Sequence, residues 1–250
     1  MTATNFSLRD YLQRIGYSGD VQNDLKTLTA LMSKQLQSVP FENTEVQAGR
    51  IPSLVPEDIY TKIVTDKRGG YCYEVNGLFA MALTALGFEW YFAGARPMFY
   101  PTRRPKTHMV IIVTIEGKEY LCDTGFGGYG VREPLEIVDA VSEQNGDRFR
   151  LELHDGEYVL SSFVNDEWAP QYGFALVAQE WIEFSLANHF NATHPDTIFT
   201  QKKLAVMQTP KGRKILVDNS LKIIEEGVIT MQEVNYDSAA REYFGLKFSI

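Results

Sequence analysis

The stretch Lys67-Arg68-Gly69-Gly70-Tyr71-Cys72-Tyr73-Glu74-Val75-Asn76-Gly77-Leu78-Phe79-Ala80-Met81-Ala82-Leu83-Thr84-Ala85-Leu86-Gly87 decides how the rest of the chain is read. Apolar side chains recur at Val75, Leu78, Phe79, Ala82, Leu83 and Leu86, the spacing of one buried helix face. Two glycines precede the run, and Gly87 stands where a helix C-terminus takes a left-handed residue. Cys72 therefore falls in the first turn of the predicted helix. Unpaired backbone N–H groups and the macrodipole favour a thiolate there, and Arg68 is a candidate cation beside it. Nucleophilic cysteines occupy such positions. Inert buried cysteines occupy them more often, so the helix alone does not separate the two.

Before this stretch the chain reads as helical. Ser7 and Asp10 form a capping pattern ahead of Leu8, Tyr11, Leu12 and Ile15. A second helix carries Leu25, Leu28, Met32 and Leu36 and must stop before Pro40. A third begins at Pro56, with Ile59, Tyr60 and Ile63 inward. After Phe88 the period falls to two. Strands are predicted over 89–95, 108–115, 118–124, 148–153, 158–163 and 168–175, separated by Glu116-Gly117, Asp155-Gly156 and Asn165-Asp166. Closely spaced hairpins of this kind suggest an antiparallel barrel or sandwich. A third segment opens with a short helix over 181–189. Strands over 203–207 and 214–217 follow around Pro210-Lys211-Gly212-Arg213, then a final helix over 237–244. The expected organisation is thus α+β in three packed parts: 1–86 helical, 87–178 β-rich and 179–250 mixed α/β.

Composition bounds the function. The chain has 250 residues, of which 44% are hydrophobic and 22% charged, as in an ordinary globular protein. A formal charge of −8 argues against a general nucleic-acid binder, which needs a basic face. Local basic clusters remain, Arg103, Arg104 and Lys106 in one loop and Lys202 with Lys203 in another; solvated surface and an anion site both fit them. The N-terminus lacks an apolar signal core and no run is long enough to span a membrane, so a cytoplasmic protein without membrane partners is expected. Cys72 and Cys122 are then expected to be free thiols. No zinc or other metal site is expected: there is no C-x-x-C pair, and His108, His154, His189 and His194 are scattered.

The hairpin after Pro105 supplies the second constraint. Side chains alternate along a strand, so a two-residue turn at Glu116-Gly117 or Gly117-Lys118 places Asp123 opposite Val110 or Ile112. Either register puts His108 and Asp123 on one face, and the first makes them diagonal neighbours about 7–8 Å apart at Cβ. An odd-length turn would separate them. Joined to Cys72, they form a Cys–His–Asp relay, in which imidazole takes the thiol proton and the acid fixes its tautomer. A core histidine beside a turn-forming aspartate has the same spacing. Gly125-Phe126-Gly127-Gly128-Tyr129-Gly130 matches G-x-G-x-x-G, but Val131-Arg132-Glu133-Pro134 cannot open the helix a dinucleotide site requires.

Short motifs spread in order along the chain give it a resemblance to the arylamine N-acetyltransferases. Arg68-Gly69-Gly70-Tyr71-Cys72-Tyr73-Glu74-Val75-Asn76 resembles the family's R-G-G-x-C-x-E-x-N, and Val39-Pro40-Phe41-Glu42-Asn43 its V-P-F-E-N. Thr107-His108 with Val113 resembles the T-H strand, and Asp123-Thr124-Gly125-Phe126-Gly127-Gly128 the acid-bearing loop. Thr193-His194-Pro195-Asp196-Thr197-Ile198-Phe199 and Gly212-Arg213 are similar to its late signatures. Thr124 and Thr197 depart mildly from the pattern, and Cys122 beside the acid is unusual.

The resemblance implies a helical bundle, a central antiparallel β-barrel and an α/β lid. It implies acetyl transfer from acetyl-coenzyme A through Cys72 to an arylamine, hydrazine or arylhydroxylamine, with His108 as base and Asp123 as its orienting partner. It further implies that Thr107, Gly125, Phe126, Gly127 and Phe199 line the coenzyme and acceptor cleft, and that Glu42 and Arg68 pair to brace the cysteine loop. An amide synthase of the same fold, and a Cys–His–Asp hydrolase, use a similar relay. Oligomeric state and acceptor identity are left open by the sequence.

Overall fold

Ser7 starts the first helix, α1 (Leu8–Ile15), by accepting the Asp10 N–H through its hydroxyl. Asp24 does the same for α2 (Leu25–Ser38) through Thr27, and Pro40 lies just past its end. A two-residue strand β1 (Phe41–Glu42) and a short α3 (Thr44–Gln47) follow. Pro56 opens α4 (Pro56–Tyr60), which widens into a π-turn over Thr61–Thr65 instead of running on as the regular predicted helix. The computed structural model describes residues 1–247, so 248–250 of the expected third part lie outside the described residues.

The decisive helix is α5 (Cys72–Ala85). Its sequence predicts one buried stripe; instead every residue from Cys72 to Leu83 is buried. The reason is its place in the fold: α1 and α4 pack on it from one direction and strands of the sheet from another. Tyr73, Glu74, Asn76 and Gly77, which lie off the stripe, are therefore interior as well.

The main sheet comprises β2 (Glu89–Pro97), β3 (His108–Ile115), β4 (Lys118–Cys122), β5 (Leu135–Glu136), β6 (Ala140–Gln144), β7 (Asp147–His154), β8 (Glu157–Val164) and β9 (Glu167–Gln179). Its eight strands run β5-β4-β3-β2-β9-β8-β7-β6. Gln144 on β6 accepts the N–H groups of Arg132 and Glu133 just ahead of β5, so the two edges nearly meet and the sheet is barrel-like. One hairpin matters most. Glu116 and Gly117 take φ of 51° and 76°, the geometry of a type I′ turn, which sets Ile115 opposite Lys118. Carried to the end of the hairpin, this register sets position 123 against 110 and puts His108 and Asp123 on one face.

A 3₁₀ turn (Trp181–Glu183), α6 (Phe184–Thr193) and α7 (Ile198–Gln201) lead into a second sheet. It contains β10 (Leu204–Thr209), β11 (Gly212–Val217), β12 (Ser220–Glu225) and β13 (Val228–Glu233), with β1 added at its edge beside β10. The last two strands extend the predicted pair. With α8 (Tyr236–Phe244) this sheet forms a small core of its own around Ala205, Leu216, Leu221, Ala240 and Phe244. Among the described residues no helix is long and apolar enough to cross a membrane.

Candidate active site

Cys72 is the first residue of α5, reached through Gly69 and Gly70. The approach is tight: a Cβ on Gly69 would fall 2.1 Å from the carbonyl oxygen of Pro40. This closeness lets the loop pair with the segment before α3, through Gly70 N–H to Pro40 (3.2 Å) and Glu42 N–H to Gly70 (3.0 Å). Glu74 reaches back to accept the Tyr71 N–H at 3.1 Å, satisfying one free donor at the helix start. Two ion pairs hold the loop, Arg68 to Glu42 at 2.8 Å and Lys62 to Glu74 at 2.7 Å. Burial alone would raise the Glu42 carboxyl, but Lys62 and Arg68 together hold it below its ordinary range. Arg68 is thus engaged with Glu42 and Glu45, not free to serve the thiol as the sequence suggested.

His108 starts β3 and Asp123 follows β4 directly. Nε2 of His108 lies 2.7 Å from Oδ2 of Asp123. A carboxylate only accepts, so Nε2 carries the proton in this bond and Nδ1 is the nitrogen left over. The other Asp123 oxygen accepts the Gly125 N–H at 2.8 Å and the Asn76 amide at 3.1 Å. Asn76, one turn beyond Cys72 on α5, also donates to the Met109 carbonyl at 2.8 Å and accepts from the Thr124 N–H at 2.8 Å. Behind it, Gln35 of α2 donates to the Thr124 hydroxyl at 3.0 Å and accepts from Tyr11 at 2.9 Å. A buried chain of polar groups therefore runs from α1 and α2 through α5 to Asp123. Thr124, a departure from the family pattern, has both hydroxyl bonds made within it.

Cys72, His108 and Asp123 are 2%, 4% and 1% exposed. Burial pushes the Cys72 thiol well up, the Asp123 charge adds to this, and the N–H groups of Tyr73 and Cys72 offset only part of it. The helix terminus does not by itself yield the thiolate expected from the sequence. A buried thiolate needs a counter-charge, and an imidazolium at His108 would supply it.

Cys72 and His108 line one cavity of about 40 Å³ together with Thr107, Gly125, Phe126 and Phe199. Gly127 lies instead near the Phe41 ring and is not part of this wall. Sequence reasoning did not single out Phe41, Pro97, Phe99, Tyr100 and Asn191, which complete the lining. It also missed Tyr172, whose ring sits 5.1 Å from His108 and 4.8 Å from Phe126. Burial, followed by the neighbouring Asp123 charge, pushes the Tyr172 phenol far up, so it stays a neutral wall beside the relay. At about 40 Å³ the cavity is small beside the roughly 300–1,000 Å³ usual for ligand pockets. A larger open groove of about 710 Å³ runs past Lys202, Asp218, Ser220 and Met231, but it holds neither thiol nor imidazole. Among the described residues no three metal-ligating side chains gather.

Comparison with known proteins adds an independent line. Residues 24–250 match a family model described as N-acetyltransferase. The chain is 34% identical to Arylamine N-acetyltransferase 2 of Mus musculus over 84% of its own length and 81% of the relative's. It is 32% identical to Arylamine N-acetyltransferase of Mycolicibacterium smegmatis over 94% of this chain and 87% of that one. The solved arylamine N-acetyltransferase from M. tuberculosis superposes with a TM-score of 0.92 at 30% identity, covering 96% of this chain and 93% of that one. The Mycobacterium marinum arylamine N-acetyltransferase in complex with CoA gives a TM-score of 0.91 at 29% identity, covering 96% and 92%.

Proposed function

This chain belongs to the arylamine N-acetyltransferase family and is an acyltransferase that uses acetyl-coenzyme A, and we propose that it moves the acetyl group through a thioester on Cys72 to the nitrogen of an arylamine, hydrazine or arylhydroxylamine. Three parts fit this reading: the helical part before Gly87, the β-rich part to Ala178 and the α/β part beyond it.

In the first half-reaction the Cys72 proton passes to Nδ1 of His108, and the thiolate attacks the acetyl carbonyl. The resulting oxyanion is held by backbone N–H groups at the start of α5, those of Cys72 and Tyr73 being the nearest candidates. Collapse expels coenzyme A, whose sulfur takes the proton from His108. In the second half-reaction the acceptor nitrogen attacks the acetyl-cysteine, His108 removes a proton from it, and the Cys72 sulfur leaves. Asp123 fixes the imidazole through both steps. Thr107, Gly125, Phe126 and Phe199 contact the acyl group and acceptor, with Gly127 supporting Phe41 from behind. Closely packed aromatic walls keep water from the thioester until an amine arrives.

The observation that carries this reading is the 2.7 Å bond from Nε2 of His108 to Asp123, which leaves Nδ1 for a cysteine in the same cavity. Mixing the enzyme with acetyl-coenzyme A, with and without an aniline acceptor, tests it. Ping-pong behaviour is expected: one equivalent of coenzyme A released alone, and continuous release with the amine. Continuous release without any amine would indicate a hydrolase instead.

A further inference from the structure

His108 stands where β3 has a neighbouring strand on one side only. Pairing with β2 begins at His108 itself, opposite Ala95, whereas pairing with β4 begins at Ile111, opposite Cys122. The carbonyls on either side of the base are taken up by side chains instead. Asn76 donates to that of Met109 at 2.8 Å, and the Tyr73 hydroxyl donates to that of Thr107 at 2.8 Å. Both donors belong to α5, one and four residues beyond Cys72. A single helix thus presents the thiol and grips the strand on both sides of the imidazole.

The Thr107 carbonyl takes a second bond. Asn191, buried on α6, donates to it through Nδ2 at 2.8 Å and reaches the Tyr73 hydroxyl at 3.4 Å. Phenol and amide close a triangle on one carbonyl oxygen, which has two lone pairs to receive them. Burial, followed by the neighbouring Cys72, pushes the Tyr73 phenol far up, so its hydroxyl keeps the proton it donates. Asn191 also lines the cavity shared by Cys72 and His108. The peptide before the base is therefore tied at once to the nucleophile's helix and to α6. One donor would satisfy a buried carbonyl; two from separate elements fix where it lies. The acetyl-transfer steps make no use of either side chain.

We propose that Tyr73 and Asn191 are positioning residues for His108, holding the Thr107 carbonyl so that the imidazole stays within proton-transfer reach of Cys72. Neither exchanges a proton in the reaction; both act through the peptide that precedes the base. The proposal rests on the Cys72–His108 relay. Without the triangle the start of β3 drifts relative to α5, and a small misplacement of a catalytic group costs up to about 10²-fold in rate. Tyr73→Phe removes one bond and leaves the ring in its place beside Tyr71 and Phe184. Tyr73→Phe/Asn191→Ala removes both.

The test is the rate of iodoacetamide alkylation, read on the peptide containing Cys72, from neutral to alkaline pH. The ratio of the neutral to the alkaline rate is the readout, because a change in access to the cavity cancels within it. In wild type the imidazolium balances the thiolate and keeps this ratio high. The double variant should lower it by about tenfold or more, with Tyr73→Phe alone part of the way. Hydrogen bonds that serve stability alone would lower Tm and leave the ratio where it was. That result in the double variant overturns the proposal; should the double variant not fold, an unchanged ratio in Tyr73→Phe does so instead. A wild-type ratio no higher than that of His108→Gln overturns the relay itself, and the positioning role with it.

Discussion

A Cβ on Gly125 would lie 2.7 Å from the Cα of Cys72 and 2.9 Å from its carbonyl oxygen. The acid-bearing loop is thus laid directly on the backbone of the nucleophile. No side chain fits between them. This contact, together with the Gly125 N–H bonded to Asp123 at 2.8 Å, fixes the acid relative to the cysteine.

Gly125→Ala tests that contact. The new methyl group meets backbone, which cannot swing aside, so the loop must lift. Overpacking of this sort costs about 1–3 kcal/mol. The expected outcome is a drop in Tm of a few degrees with a loss in kcat of tenfold or more, read by calorimetry and steady-state assay. Unchanged kcat would show that the spacing of loop and cysteine is not critical.

Asp123→Asn keeps the shape of the acid and removes its charge. The amide can present an N–H to Nε2 of His108, which turns the imidazole into the wrong tautomer. Loss of kcat by about 10⁴-fold follows from the analogous change in other acid–histidine–nucleophile sites. Circular dichroism should stay as in wild type. Activity within tenfold of wild type would remove Asp123 from the mechanism.

Thr124→Val breaks the polar chain at its middle, leaving Gln35 without one acceptor and Asn76 without one donor. A buried polar group so stranded costs about 1–3 kcal/mol. Chemical denaturation should register that loss, and the double variant Gln35→Leu/Thr124→Val should cost less than the two single changes summed. Strict additivity would show that the two side chains are not coupled.

Glu42 sets a pH dependence of stability. Its carboxyl is held below the ordinary value of 4.5 in the folded protein, so the folded state binds its proton less readily than the unfolded chain. The stabilisation is complete above about pH 4.5 and is lost as pH falls through the lower folded value. Glu42→Gln should therefore flatten the acid limb of the Tm profile relative to wild type. Parallel profiles would refute the assignment.

The thiol offers a separate test. Burial raises Cys72, so removing the imidazole leaves nothing to balance a thiolate. Alkylation by iodoacetamide at neutral pH should slow by about 10²-fold in His108→Gln and recover only toward alkaline pH. Equal rates in both proteins would mean that the cysteine ionises without help.

Much of this arrangement could be read from residues alone, and the rest fails for definable reasons. The Glu116-Gly117 turn fixed a register, and the register brought His108 to Asp123. Asn145-Gly146 and Glu226-Gly227 carry the same left-handed pair, φ 51° and 84° and φ 50° and 80°, and would have signalled β6, β12 and β13. They were missed because the flanking strands lack alternation; every residue of β13 is exposed. Strand β1 is two residues long and pairs with β10, which begins at Leu204, so no local pattern could reveal it. Gln35, Asn76 and Asn191 bear on the site through partners far along the chain. For Gln35 the sole hint was a polar residue standing among Leu28, Leu31 and Met32. The thiol's environment is only half legible for a different reason: the helix terminus is visible in sequence, whereas the depth of burial, which opposes ionisation, is not.

The most direct measurement is peptide mass spectrometry of the enzyme quenched in acid after mixing with acetyl-coenzyme A in the absence of an amine. One acetyl group per chain on the peptide containing Cys72, lost on adding an arylamine as the acetylated amine appears, is the expected result. An unlabelled Cys72 peptide from enzyme that turns over normally, or full turnover by Cys72→Ser, would contradict the account.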